Sequence, residues 1–511
     1  MQIKWNEGYT SEINYTSGYY AELSPTRIRL ALLACGIDHS IDDNPTYLEL
    51  GFGQGLSLNI NAATNSGHFY GTDFNPGQVA NARELGKAMG KPLALFEDSF
   101  EELALRNDLP QFDIIALHGI WSWISNTARA AIIEIARKSL KPGGALYISY
   151  NVTPGWSPAW PLRILLAEHA KREAAGTILD KVDQSINFVE KVIGANAAYF
   201  VQNPQVASRL EMIKKQDRTY IAHEYFNANW DPMPFAKVAG DLAEAKLSFA
   251  ASASILDNLP VISIPASAHP ILQSIKDPIM RETTRDYFVN AQFRRDIFVK
   301  GPRYMPVHDH GKRIEKERFI LLGDPEKCPE KTATAIGEAE LKSDIYKPLA
   351  QALGKFPDGT ASVGELMALK ELSALTRAQI WEVLLILTGA GYVAPVSTST
   401  TAAEDVAAAQ ALNRHLLAKV ASGGGVDYLA APQLSAAFNV TRIEQLFLSA
   451  LLANQQNPVA WVQQILAEQG QLLIVDGAPI RDEGQTRDEL MRIFDEFKLV
   501  KLDLLKRLGA Y

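Results

Sequence analysis

The sequence predicts an α/β domain built on a mostly parallel, doubly wound sheet, followed by a mainly helical middle region and a mainly helical C-terminal region. Three observations lead there. Between residues 46 and 150 short apolar runs alternate with amphipathic helical patterns, the mark of repeated strand–helix–strand units. The first run, Tyr47-Leu48-Glu49-Leu50, passes directly into Gly51-Phe52-Gly53-Gln54-Gly55, a turn that lets the backbone lie against a bulky ligand. After residue 156 the alternation stops and long helical patterns take over.

At 511 residues the chain should form roughly two to four domains, and 47% hydrophobic with 21% charged residues supplies several cores. A formal net charge of −8 argues against a general polyanion binder. Cys35 and Cys328 are the only cysteines, too few for a disulfide framework or a cysteine-based zinc site. Neither a signal-peptide pattern nor an apolar run of about 18 residues is present, so a cytoplasmic protein without membrane insertion is expected.

Residues 1–44 form an N-terminal extension in which Tyr9, Tyr15, Tyr19 and Tyr20 cluster ahead of a helical pattern, with Ser24 at its N-cap and Pro25 at its first position. Strands are predicted at Thr46–Leu50, His68–Thr72, residues 92–96, Phe112–Leu117 and residues 145–150. Between them lie helices such as Pro76–Met89, where Val79, Ala82, Gly86 and Met89 share a face, and residues 127–140, stopped by Lys141-Pro142-Gly143-Gly144. Residues 45–156 make up this core and residues 157–335 a middle domain, with helical patterns at 162–175 and 185–200. Residues 341–396 read as a winged helix. Arg377 just before its third helix and Glu382 within it suit protein docking better than phosphate, so no nucleic-acid partner is expected. Residues 397–409 are small and polar, a linker by composition, and residues 410–511 form a helical C-terminal domain. Its last helix, residues 486–508, carries an apolar stripe of Leu490, Ile493, Phe497, Val500, Leu504 and Leu508.

In a doubly wound sheet the ligand crevice lies at the carboxyl ends of the strands. Glu49, Gly51, Gly53 and Gly55 surround the first such end, and Asp73 closes the second strand where a carboxylate would accept ribose hydroxyls. Leu56 stands where the dinucleotide fingerprint needs glycine or alanine, which disfavours a pyrophosphate. After the third strand Asp98 and Ser99 are placed to meet an adenine amino group, and after the fourth come His118, Trp121 and Trp123. The tryptophans would wall an apolar substrate arm, and His118 would position or deprotonate a nucleophile. Tyr150 and Asn151 end the fifth strand at the same rim. His308-Asp309-His310 reads as a solvated loop, not a metal-ligand set.

The E-x-G-x-G-x-G turn with an acidic second strand end resembles motif I of class I S-adenosylmethionine (SAM)-dependent methyltransferases. The resemblance implies a Rossmann-like fold with SAM as cofactor, its methionine moiety passing the glycine loop, its ribose on Asp73 and its adenine at the start of the next loop, beside Phe74. It also places Tyr20 and His118 against the cofactor. Further along, His223-Glu224-Tyr225-Phe226-Asn227, the Asn229-to-Phe235 segment and Gln292-to-Gly301 look like the signature of bacterial methyltransferases with a regulatory domain, a group that includes the rickettsial protein-lysine methyltransferases. The strand ends HGIWSW and YNVTPGW agree with it. By resemblance the substrate is a protein lysine, in some members of a surface or outer-membrane protein, and a homodimer is a further expectation. Ser17-Gly18-Tyr19-Tyr20 departs from the group's Pro-Tyr form, at the segment that closes on the substrate. The alternatives are a methyltransferase acting on a small molecule or polysaccharide, and a non-catalytic SAM-binding regulator.

Overall fold

The computed structural model describes residues 18–227, 229–397, 401–475 and 477–511. Its centre is a seven-stranded sheet. In chain order the strands are β1 (Thr46–Leu50), β2 (His68–Thr72), β3 (Ala94–Phe96), β4 (Phe112–Leu117), β5 (Leu140–Asn151), β6 (Leu247–Ser252) and β7 (Phe293–Lys300). Their order across the sheet is β3-β2-β1-β4-β5-β7-β6. The first five are parallel, and β7 runs antiparallel to both β5 and β6. Because the order reverses between β1 and β4, the carboxyl ends of those strands diverge and leave a crevice.

Both faces of the sheet are covered, which is why its central strands read as continuous apolar runs. Tyr47, Ile114, Ala116, Tyr147 and Ile297 point to one face, and Leu48, Ile115, Leu117, Leu146, Ile148 and Phe298 to the other; all are buried. Helix Pro76–Met89 starts on Asn75, whose side chain accepts from Gly77 N.

Several elements differ from the sequence expectation. The sheet does not end at residue 156: β6 and β7 arise inside the expected middle domain and complete it. Two antiparallel strands nearly fifty residues apart give no local periodicity that would join them to the core. Residues 403–409 of the expected linker open a helix, Ala403–Ala421, because its alanines are strong helix formers and Ala408 and Ala409 are buried. That helix packs on Leu56–Thr64 and Pro76–Met89, and Lys91 forms an ion pair with its Asp405. Ser24 precedes helix Pro25–Ala34, but its hydroxyl donates to Ser435 O at 3.1 Å and leaves the cap position unfilled. The final helix contains a π-helical stretch, Phe497–Leu502, between α-helical ends. Tyr9, Tyr15 and Ser17 lie outside the described residues.

Between β5 and β6 the chain makes a helical cap with its own small core, including Leu162, Leu166, Val182, Ile186, Leu210 and Ile221. Beyond β7 come β8 (Arg318–Leu321), the hairpin β9 (Lys331–Thr334) with β10 (Gly337–Glu340), β11 (Thr360–Ser362) and β12 (Val393–Val396). β8 lies between β11 and β12, with helix Ser343–Gly354 against β8 and β11, Val363–Met367 against β11 and Arg377–Gly389 against β12. The middle strand of this sheet thus comes from ahead of the first helix, where a winged helix would take it from a hairpin after the third. No helix among the described residues is long and apolar enough to cross a membrane.

Candidate active site

A cavity of about 530 Å³ opens at the carboxyl ends of β1, β2 and β4, under the helical cap. Its inner half is the glycine turn. Gly51, Gly53 and Gly55 all have positive φ, at 67°, 58° and 75°. They serve different ends. A Cβ on Gly55 would stand 2.4 Å from Ala82 Cβ and one on Gly51 2.6 Å from Ile120 Cδ1, so these two allow close packing. Around Gly53 nothing lies within 4 Å of that position, and its backbone faces open space.

Asp73 ends β2 buried beside this turn. Its carboxylate accepts from Gly53 N and from Asn75 N, both at 2.9 Å, and the amide of Gln78, oriented to donate, reaches both oxygens at 2.8 and 2.9 Å. Burial raises its pKa to about 6 against the lowering effect of the Asn75 and Gly53 bonds. Glu49, at the end of β1, is pushed up to about 8 by burial, offset by the hydroxyl of Tyr47, which donates at 3.3 Å. Phe74 lines the cavity next to Asp73. Asp98 and Ser99 line it too, with structural duties: Asp98 pairs with Arg106 at 3.0 Å, and Ser99 forms a capping box with Glu102.

The outer half is aromatic. Tyr20 stacks on His118 with ring centroids 3.9 Å apart, and Phe293 meets the same imidazole edge-on at 6.1 Å. His118 Nδ1 lies 2.7 Å from the Tyr147 hydroxyl. Burial, reinforced by Arg295, lowers its pKa to about 3. The imidazole is therefore uncharged at neutral pH and too weak a base to take a proton from an alkylammonium, and it suits a positioning role. Trp123, Trp156, Tyr220 and Glu224 complete this wall. Burial, then Glu224, raises the Tyr220 hydroxyl to about 12.

Of the sequence-predicted residues, the structure brings together Tyr20, Glu49, Gly51, Gly53, Gly55, Asp73, Phe74, Asp98, Ser99, His118 and Asn151 around one cavity. Trp121 and Tyr150 do not join them. Trp121 is fully buried in the core on the far face, and its neighbour Trp123 takes the cavity position. Tyr150 points to that same far face, where its hydroxyl donates to Asp296 at 2.7 Å. Strand alternation explains it: Tyr147, Ser149 and Asn151 share the cavity side of β5, and Tyr150 is out of phase. Period-two counting from Asn151 would have found Tyr147. Tyr220, Glu224, Phe293 and Arg295, which sequence reasoning passed over, come from the cap and from β7.

Residues 48–144 match the methyltransferase domain family, and residues 217–300 match the predicted methyltransferase regulatory domain. The chain is 37% identical to an uncharacterized Synechocystis protein, sll1526, over 99% of its own length and all of that protein's. The chain belongs to the class I SAM-dependent methyltransferases. A second relative, the Rickettsia prowazekii protein RP789, is 23% identical over 62% of this methyltransferase and 57% of the relative. The fold of this methyltransferase is shared by Rickettsia typhi PKMT2, solved with AdoHcy, at a TM-score of 0.67 and 17% identity, over 97% of this methyltransferase and 99% of PKMT2. The cofactor is SAM, and the site fits it. Gly53 offers an open backbone cradle, Asp73 a buried carboxylate on which ribose hydroxyls would take the place of the Gln78 amide, and the cavity of about 530 Å³ lies within the range of small-ligand sites. When bound, the sulfonium supplies an electrophilic methyl group. The protein's own part is to orient an acceptor atom with a free lone pair in line with it and to keep water out.

Proposed function

We propose that this methyltransferase modifies the side-chain amine of lysine in a protein substrate, in the cytoplasm. The observation that carries the proposal is the outer half of the cavity, whose wall is lined by Tyr20, Trp123, Trp156, Tyr220 and Phe293 together with Glu224. Aromatic faces and a carboxylate attract an alkylammonium, and the apolar wall favours its neutral, nucleophilic form once it has entered. Asn151, at the end of β5 and facing the cavity, is assigned to orient the amine, and His118 to fix the Tyr20 ring. The name PKMT2 of the structural neighbour points the same way.

The helical cap, residues 157–226 in this reading, and the C-terminal region from 341 onward are assigned to holding a macromolecular substrate, with residues 341–396 as a protein-docking module. A homodimer belongs to the same proposal, and light scattering showing only monomer at working concentration would remove it. The test of the whole reading is transfer of labelled methyl from SAM into an extract of the source cell, resolved on a gel and repeated after protease. Bands that vanish with protease and yield methyl-lysine on hydrolysis support it. Label confined to small molecules or glycans would replace it with the corresponding activity, and SAM binding without transfer would make the protein a regulator.

A further inference from the structure

The face of the His118 ring is taken by Tyr20, but its two nitrogens are engaged differently. Nδ1 lies 2.7 Å from the hydroxyl of Tyr147, which is fully buried and has no other hydrogen-bond partner of that quality among the described residues. Ser149, also fully buried, stands behind Tyr147. Its Oγ accepts from Gly119 N at 2.8 Å. Burial raises the Tyr147 hydroxyl well above its usual pKa, and Ser149 opposes this as a hydrogen-bond donor does. Donation therefore runs one way, from Gly119 N–H to Ser149, from the Ser149 hydroxyl to Tyr147, and from the Tyr147 hydroxyl to His118 Nδ1. The reverse order would leave the proton of Tyr147 or of Ser149 without an acceptor in a sealed core, which folded proteins avoid. With Nδ1 accepting and the ring uncharged at neutral pH, the proton sits on Nε2.

Nε2 has no partner among the described residues and is not sealed, and His118 lines the catalytic cavity. A fixed N–H there needs an acceptor. The atom to be methylated is excluded, because a donor on its lone pair would occupy the electrons that attack. On the cofactor the ribose hydroxyls fall to Asp73, which leaves the carboxylate of the methionine moiety. The surroundings suit that anion. Tyr20 joins the imidazole to the start of helix Leu56–Thr64: its ring stacks on His118, and its N–H donates to Ser57 Oγ at 3.1 Å. That helix starts with no side-chain cap and no acidic residue in its first turn, so its amide groups face outward unanswered by a carboxylate. Arg295 acts on His118 as a positive charge, offset in part by Glu22 at 3.4 Å. Glu49, whose carboxyl lines the same cavity, holds its proton at neutral pH.

We propose that the chain Gly119, Ser149, Tyr147 fixes His118 as its Nε2–H tautomer, and that this N–H donates to the carboxylate of the cofactor's methionine moiety. His118 then stands at the seam of the cavity, with its face on Tyr20 in the acceptor wall and its edge on the cofactor. Tyr147 and Ser149 are positioning residues that act through it, as the outer partners of a functional histidine commonly do. The inference does not rest on the acceptor being lysine.

Two measurements on the full-length protein test it. The first is 15N NMR of the histidine side chains at neutral pH, with His118→Asn identifying the signals. The proton is expected on the nitrogen that couples to both ring C–H protons, which is Nε2, and Tyr147→Phe should let both tautomers appear. A proton on Nδ1, or on both nitrogens, in wild type would overturn the assignment. The second is calorimetry with SAM and with decarboxylated SAM, which lacks only the carboxylate. Wild type is expected to bind SAM about tenfold more tightly than the decarboxylated form. His118→Asn should weaken SAM by about tenfold, and Tyr147→Phe by about two- to fivefold, while the decarboxylated form changes by less than about twofold in either. Equal affinity of wild type for the two cofactors, or equal losses of both in folded His118→Asn, would remove the carboxylate as the partner of Nε2.

Discussion

The inner half of the catalytic cavity is made mainly by one stretch of chain, residues 49–78, with residues 98–101 beside it, whereas its outer half draws Tyr20, Trp156, Tyr220, Glu224 and Phe293 from four distant segments. The inner half is also set before any ligand arrives. Asp73 is tied to Gly53 and Asn75, and the glycine turn is packed against Ala82 and Ile120. The outer half is held by ring contacts such as Tyr20 on His118 and by a cap with its own small core. The contrast teaches a division of labour: a fixed site for a cofactor common to many enzymes, and an assembled wall that can be rebuilt for an acceptor. Substitutions in the two halves should then move different observables.

The largest effect is expected from Gly55→Val, which would fuse the two halves' fates if the inner half were soft. The φ of 75° and the 2.4 Å approach to Ala82 Cβ tax a β-branched residue twice. Together the left-handed backbone and the overpacking cost on the order of 2–5 kcal/mol. Urea unfolding should show an early midpoint and equilibrium dialysis little SAM binding; a variant with unchanged stability would mean that the turn is not rigid.

Glu49→Gln sharpens the comparison through pH. The folded-state pKa of Glu49, about 8, lies above its unfolded value, so the folded protein holds a proton that the unfolded chain has released. Wild type without cofactor should therefore lose stability as pH rises from about 4 toward 8, by at most about 5 kcal/mol from this group. The glutamine variant lacks that slope. Thermal melts at pH 5 and pH 8.5 should show the variant gaining on wild type only at the higher pH, and parallel curves would refute the buried-carboxyl assignment.

How much of this was legible in the sequence follows the same divide. β1, β2 and β4, helix Pro76–Met89 and the carboxylate of Asp73 could be read because each depends on neighbours within a few residues. Tyr150 was placed on the correct strand end but the wrong face, since a change of one residue reverses side-chain direction, and Trp121 lies past its strand in a 3-10 turn, Trp121–Trp123, whose packing turns it into the core. β6, β7 and with them Phe293 and Arg295 were beyond reach, because antiparallel pairing across such a separation leaves no periodic trace, and Glu224 reaches the cavity only through the packing of its cap helix, Arg218–Phe226. The helix at Ala403–Ala421 was missed for another reason: alanine is small enough to look like linker and is also the best helix former.

Asp73→Ala is next in size. Loss of a charged acceptor for the ribose hydroxyls should weaken SAM by about 10- to 100-fold, the effect of about 1.5–3 kcal/mol. Calorimetry with SAM and with AdoHcy should give the same loss, since both carry the ribose. Unchanged affinity would remove Asp73 from the cofactor half.

The smallest and most discriminating change is Glu224→Gln in the outer half. The cap helix Arg218–Phe226 carries Glu224, whose charge adds to burial in raising the hydroxyls of Tyr20 and Tyr220. A carboxylate there attracts an incoming ammonium, and the aromatic faces add a cation–π contribution that survives the substitution. Removing only the charge should lower kcat/KM for a lysine-bearing substrate by about 5- to 10-fold, about 1 kcal/mol, mainly through KM, because the attraction acts on the entering cation and not on the neutral amine that reacts. SAM affinity should stay within about twofold of wild type if, as proposed, the cofactor is held across the cavity by residues 49–78. If SAM affinity falls as far as it does in Asp73→Ala, the two halves are one site and the division of labour fails. If kcat falls with KM unchanged, Glu224 acts on the reacting amine itself, and the carboxylate belongs to the chemistry and not to capture.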